Sequence, residues 1–224
     1  PPEGTALHWT SAPLAADKTL LGSASMDLWL SSTAPDTDVQ VTLTEVRPDG
    51  QEMYLQKGWL KVSQRALDAS KSTALRPYQT HTQADSALLT PGTPVLARVE
   101  VFPFGALIRK GSRIRAWVEA PTEVPELWAF ADFPGNAVNT VLHDAGHPYR
   151  LVLPVVPNDA ARSTALPACN TLIREPCRAD PVAAGADPVV PEAPYAILLP
   201  LVGLGLLGLV VSRRRGAPAR RPIT

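Results

Sequence analysis

The chain has 224 residues, the size of one domain with appendages rather than two full domains. Lys plus Arg and Asp plus Glu stand at 21 each, but residues 195–224 hold five arginines and no acid, leaving residues 1–194 with 16 bases against 21 acids, a net of −5. An acidic body with a basic tail argues against nucleic acid as a partner, and 24 prolines, about twice the ~5% average share, argue against a helical bundle. A chain opening Pro1-Pro2 without an initiator Met reads as a fragment or a processed product.

From residue 1 to about 158, apolar and polar residues alternate between turn signals, the period-2 pattern of strands. Met26, Leu28 and Leu30 alternate first. In Val39-Gln40-Val41-Thr42-Leu43-Thr44 the aliphatic residues point one way and the polar ones the other. Pro48-Asp49-Gly50 predicts a turn, because proline presets φ and Asp-Gly tolerates the reversal. A short helical stretch is expected over Gln64–Ser70. Alternation returns at Val95, Ala97, Val99 and Val101, and again at Ile114, Ala116 and Val118. A second helical stretch is expected over Glu126–Ala131. Val138, Thr140 and Leu142 fit loosely, and Leu151, Leu153 and Val155 form a late strand. About eight strands with one polar face each need a second sheet over their apolar faces, so the predicted fold is an all-β sandwich without internal repeats.

Residues 159–194 are rich in Pro and Ala and read as a poorly packed stalk. They carry Cys169 and Cys177, which in an oxidising compartment read as a small disulfide loop outside the sandwich. A metal would want more Cys or His nearby. Ala193 through Ser212 is a 20-residue uncharged stretch, enough to cross the ~30 Å hydrocarbon core of a bilayer. Residues 195–212 are therefore expected to be a transmembrane or sorting-signal helix, with the lipid bilayer as partner. The competing reading, a buried core helix, wants a polar face that this stretch lacks. Arg213, Arg214 and Arg215 set the topology: residues 213–224 form a basic cytoplasmic tail and the body lies outside the cytoplasm. The formal G-x-G-x-x-G of Gly203 to Gly208 has no preceding strand, no βαβ unit and no ribose-binding acid, so its glycines read as small residues of a membrane helix. Val190-Pro191-Glu192-Ala193-Pro194 before the apolar run resembles sorting signals of the Pro-Glu-Pro type, with Ala193 departing from the motif. Cleavage by a sorting enzyme thus stays open beside simple retention as a single-pass anchor. Leu199-Pro200-Leu201-Val202-Gly203 lacks the threonine of a sortase signal.

Chemistry-bearing constellations are sparse. His143-Asp144-Ala145-Gly146-His147 approaches H-E-x-x-H, but Gly146 and Pro148 oppose a helix and Asp replaces the glutamate, favouring a strand-to-turn role over a metal site. Gly22-Ser23-Ala24-Ser25-Met26 lacks the last glycine of a nucleophile elbow. His8, His81, His143 and His147 have no recognisable nucleophile to serve. No phosphate-cradling loop is present, and neither catalytic residues, a metal site nor a cofactor is assigned. Trp9, Trp29, Tyr54, Trp59, Trp117 and Trp128 leave sugar stacking open beside the favoured reading of core and interface packing.

The run Leu28-Trp29-Leu30-Ser31-Ser32-Thr33-Ala34-Pro35-Asp36-Thr37-Asp38-Val39 carries a family resemblance, followed by Leu43-Thr44-Glu45-Val46-Arg47-Pro48-Asp49-Gly50 and Gly58-Trp59-Leu60. Phe102-Pro103-Phe104, Arg109-Lys110-Gly111-Ser112-Arg113-Ile114-Arg115 and the stretch from Leu142-His143 to Leu151-Val152-Leu153-Pro154 continue it. In this order, over about residues 4–157, the chain resembles the C-terminal domain of the X-prolyl dipeptidyl peptidase and cocaine-esterase-like (CocE/NonD) hydrolases. The resemblance implies a jelly-roll-like, galactose-binding-like β-sandwich following an α/β-hydrolase domain of the same polypeptide. The Ser, Asp and His of the family's triad belong to that upstream domain, so none is carried onto this sequence. The implied role is a non-catalytic domain of a serine hydrolase acting on X-prolyl peptides, esters or amides, helping to enclose its substrate cleft. The apolar segment and arginine cluster, which the common family pattern does not require, make that enzyme membrane-anchored and extracytoplasmic. The alternative is a cell-surface carbohydrate-binding or adhesion module with no enzyme attached.

Overall fold

A computed structural model of the chain describes residues 5–121, 130, 137–157, 165–171 and 176–182. The described residues form nine strands: β1 (Ala6–Thr10), β2 (Lys18–Ser32), β3 (Asp38–Val46), β4 (Gln51–Lys61), β5 (Val95–Ile108), β6 (Arg113–Glu119), β7 (Asn139–Leu142), β8 (Arg150–Val152) and β9 (Cys177–Ala179). One antiparallel sheet has the order β1-β6-β3-β4-β9 and the other β5-β2-β7. β8 also pairs with β2, at Ser25–Asp27, while β7 takes Trp29–Ser32 of the same strand.

The period-2 pattern builds this arrangement. Leu28 and Leu30 from β2, Val41 and Leu43 from β3, Val99 and Val101 from β5 and Ala116 from β6 meet in one core, each at most 2% exposed. Full burial of a Val or Leu side chain contributes roughly 1.5–3 kcal/mol, so the inner faces hold the two sheets together. At Gly58 of β4 the backbone of β5 comes close. A Cβ there would collide with the Glu100 carbonyl of β5. The Pro48-Asp49-Gly50 turn is present, with Gly50 at φ +77° and its amide donating to the Arg47 carbonyl.

Several expectations need correction. The expected helix at Gln64–Ser70 is absent. A single 3-10 turn, Val62–Gln64, is followed by a bridge between Leu67 and Gln79, and the Asp68 carboxylate accepts from the Ser70 amide and hydroxyl. Such local side-chain bonds offer the backbone an alternative to a helix. The second expected helix, Glu126–Ala131, lies outside the described residues except for Phe130. The cysteine-bearing part of the expected stalk is docked on the sandwich: β9 pairs with β4, and Cys177 is 9% exposed within the core cluster. The apolar segment 195–212 and Arg213, Arg214 and Arg215 lie outside the described residues. Among the described residues, no helix is long and apolar enough to cross a membrane.

Candidate functional site

On β3, Gln40, Thr42 and Thr44 are turned away from the core, and β6 turns Arg115, Trp117 and Glu119 the same way because the two strands pair in register. β4 adds Glu52 and Tyr54 opposite Val46 and Thr44. These residues, with Lys57 and the β9 stretch Pro176-Cys177-Arg178, line a concavity of about 340 Å³.

Glu52 is its electrostatic centre, 1% exposed. Its Oε1 accepts from Thr44 Oγ1 at 2.8 Å, Trp117 Nε1 at 2.7 Å and Arg115 Nη1 at 3.1 Å. Its Oε2 accepts from Arg178 Nε at 2.8 Å. Burial pushes the Glu52 carboxyl upward, but donors from Trp117, Arg178 and Thr44 outweigh it and hold the group below its ordinary range. Arg115 also donates to Asp180 at 2.6 Å, so two acids and two arginines alternate across the β4–β9 seam. A second cluster closes around Glu119, whose Oε1 accepts from Gln40 Nε2 and Thr42 Oγ1, each at 2.8 Å. Trp59 Nε1 donates to Gln40 Oε1 at 2.6 Å. Burial pushes the Tyr54 hydroxyl up to about 12. Burial also lowers Lys57, against the opposing charge of Glu119. Interlocked hydrogen bonds of this kind fix a shape and a charge pattern; they do not assemble a nucleophile with a base.

The sequence-predicted residues fall elsewhere or into structural roles. Cys169 and Cys177 form a disulfide with Cα atoms 5.4 Å apart. The His143–His147 stretch is a strand-to-turn segment: Asp144 Oδ1 accepts from the Gly146 and His147 amides at 2.7 and 3.0 Å. The two imidazoles face different partners, His143 against Tyr149 and His147 edge-on to Trp29. Ser23 and Ser25 lie inside β2, donating to Glu100 Oε1 and the Ala74 carbonyl. His8 packs on Trp117, and His81 sits at φ +51° in the connection between β4 and β5. Trp9 lies against Tyr149 and Trp59 against Phe102, while Trp117 also has Arg115 and Arg178 over its ring. Trp128 lies outside the described residues. Sequence reasoning missed the Glu52–Arg178 and Arg115–Asp180 pairs. Their members are 126 and 65 residues apart, so no local pattern joins them.

Fold and site together define a two-sheet antiparallel module with a polar, hydrogen-bonded outer face on its five-stranded sheet. The family model described as the X-Pro dipeptidyl-peptidase C-terminal non-catalytic domain matches residues 3–151. The chain belongs to that family of X-Pro dipeptidyl-peptidase C-terminal non-catalytic domains. A protein of Mycobacterium bovis named "Putative serine esterase" is 29% identical over 153 residues, covering 67% of this chain and 24% of its own. The chain thus spans about a quarter of that relative. In solved structures, the fold is similar to a CocE/NonD family hydrolase from Staphylococcus aureus, at TM-score 0.56 and 21% identity over 67% of this chain and 30% of that one. It is also similar to an alpha-amino acid ester hydrolase, at TM-score 0.51 and 17% identity over 69% of this chain and 26% of that one.

Proposed function

We propose that this chain is the accessory sandwich of an extracytoplasmic serine hydrolase, packing on an α/β-hydrolase domain upstream in the same polypeptide and helping to enclose its substrate cleft. The observation that carries the reading is the family match over residues 3–151, together with the small share of an esterase-named relative that the chain covers. The hydrolase domain supplies the serine, the base and the oxyanion donors, and cleaves a peptide, ester or amide through an acyl-enzyme. The sandwich supplies rigid surface. Residues 195–212 tether the enzyme to the bilayer, with Arg213 onward in the cytoplasm and the sandwich outside.

Fluorophosphonate labelling of the chain and of the longer polypeptide tests the division of labour. The expected label falls on one serine upstream of Pro1, and deleting the sandwich lowers hydrolysis of nitrophenyl esters or X-prolyl nitroanilides. Stoichiometric labelling of one residue within 1–224 overturns the reading, because the sandwich then carries its own nucleophile.

A further inference from the structure

The family match ends at residue 151, yet the sandwich continues through a segment beyond it. Val156 donates to the Thr19 carbonyl, and residues 176–180 then reach the opposite sheet at the edge of β4. Three backbone pairs hold β9 there: Gln51 with Ala179, Glu52 with Arg178 and Met53 with Cys177. The Tyr54 amide donates to the Pro176 carbonyl and the Asp180 amide to the Gly50 carbonyl, both at 2.9 Å. The Cys177 amide donates to Asn170 Oδ1 at 2.9 Å, inside the stretch that the disulfide closes. Side chains complete the seam. Arg178 reaches Glu52 at 2.7 Å, and Asp180 reaches Arg115 at 2.6 Å.

A three-residue strand is short for independent pairing, and strand edges elsewhere expose unpaired amides and carbonyls. β9 therefore depends on what restrains its ends. The disulfide supplies that restraint by tying Cys177 to Cys169, which packs against the same core cluster. Pro176, Cys177 and Arg178 form one wall of the groove on the outer face of the five-stranded sheet. Groove, edge and disulfide are therefore mechanically linked.

We propose that residues 176–182 are a thiol-controlled strap: the Cys169–Cys177 disulfide holds β9 on β4, and its reduction releases the strap, opening both the groove and the β4 edge. The step is thiol–disulfide exchange with a dithiol reductant. Its thiolate attacks the half-buried Cys169 sulfur, Cys177 leaves as a thiolate, and the second thiol resolves the mixed disulfide. The protein gains two electrons and two protons, and the reductant leaves as a disulfide. Release removes Arg178 from Glu52 and Asp180 from Arg115, while Glu52 and Arg115 keep each other. The sandwich thus retains its internal ion pair with the strap off.

Amide hydrogen exchange on the folded protein, with and without dithiothreitol, tests this. Reduction should speed exchange roughly tenfold or more at Tyr54, Cys177 and Asp180, leaving Val41 and Leu43 in β3 protected. Thiol alkylation on the same sample should count two free cysteines. A Cys169→Ser variant should exchange fast at the same three amides whether or not reductant is present. Unchanged protection with both thiols free overturns the proposal, because β9 then holds without the bond. Equal loss of protection in β3 also overturns it, since the disulfide is then a lock on the whole fold. A bond that resists dithiothreitol in the folded protein overturns it as well.

Discussion

Glu52 concentrates the chemistry of the outer face in one carboxylate. Four side chains donate to it at 1% exposure, and removing one partner of such a buried pair leaves the others with uncompensated charge. Glu52→Gln should therefore cost about 1.5–3 kcal/mol at neutral pH, the range for hydrogen bonds to a charged group, measured by urea unfolding. The pH dependence follows from the sign of the shift. The folded carboxyl is held below its ordinary value, so its contribution is full above the unfolded pKa and is lost as pH falls through the folded one. Melts taken from about pH 6 to about pH 3 should lose stability more steeply in the native chain than in Glu52→Gln. Parallel acid limbs would remove Glu52 from the account. Little of this was legible, because alternation puts Glu52 on a face without naming its partners. Glu45 shows the opposite case. The Val39, Val41, Leu43 alternation carries one step further to put it inside, and the structure does so at 0% exposure, with neither carboxylate oxygen hydrogen-bonded among the described residues. A pattern specifies which side a residue faces, and not whether the site suits it.

Strands that alternate cleanly could be read, and strands that break alternation could not. β2 and β6 carry an unbroken apolar phase, β3 carries one from Val39 to Leu43, and β5 carries one from Val95 to Val101, before an irregularity moves its inward positions to Phe104, Ala106 and Ile108; all four were expected from those runs. β4 was not, for a physical reason: its register slips between Leu43 and Thr44, so Tyr54 and Gln56 face successive β3 residues and Leu55 is the extra one. The bulge moves the inward phase from Met53 and Leu55 to Gly58 and Leu60, and the period-2 signal cancels across it. β9 is too short to carry a pattern, and the Pro/Ala composition around it points to a stalk because composition does not register one disulfide and two ion pairs. Gly58 within β4 has a function in packing. Its missing side chain lets the Glu100 carbonyl of β5 approach. The obstacle is backbone, which cannot rotate aside. Gly58→Ala should thus destabilise by about 3 kcal/mol, at the upper end of overpacking costs, whereas Gly50→Ala meets no atom within 4 Å and suffers only from its φ of +77°. A neutral Gly58→Ala in thermal denaturation would mean that the sheets separate more easily than this contact implies.

At the scale of the whole chain, the two ends of the sequence have different physical requirements. The acidic body pairs several of its acids internally, as at Glu52 with Arg115 and Asp27 with Arg98 and Arg150. The arginines of residues 213–221 have no acid within residues 195–224 to answer them. Clustered arginines resist translocation, and anionic lipid on the cytoplasmic leaflet attracts them by about 1 kcal/mol each. Between body and tail stand 20 uncharged residues, the length that a ~30 Å hydrocarbon layer demands of a helix rising 1.5 Å per residue. The proposal that the sandwich faces outward therefore rests on charge and length, independently of the hydrolase reading. Protease added to intact cells whose outer layers are permeable should remove an epitope in residues 5–121 and spare one placed after Arg215. Moving the charge gives the sharper test. Replacing Arg213, Arg214 and Arg215 with Ser and placing three arginines before residue 193 should lower the fraction of sandwich accessible to protease, because the cytoplasm then retains the other flank. If accessibility is the same in both forms, an N-terminal signal rather than the arginine cluster sets the orientation. If the body is protected in the native form, the sandwich lies inside.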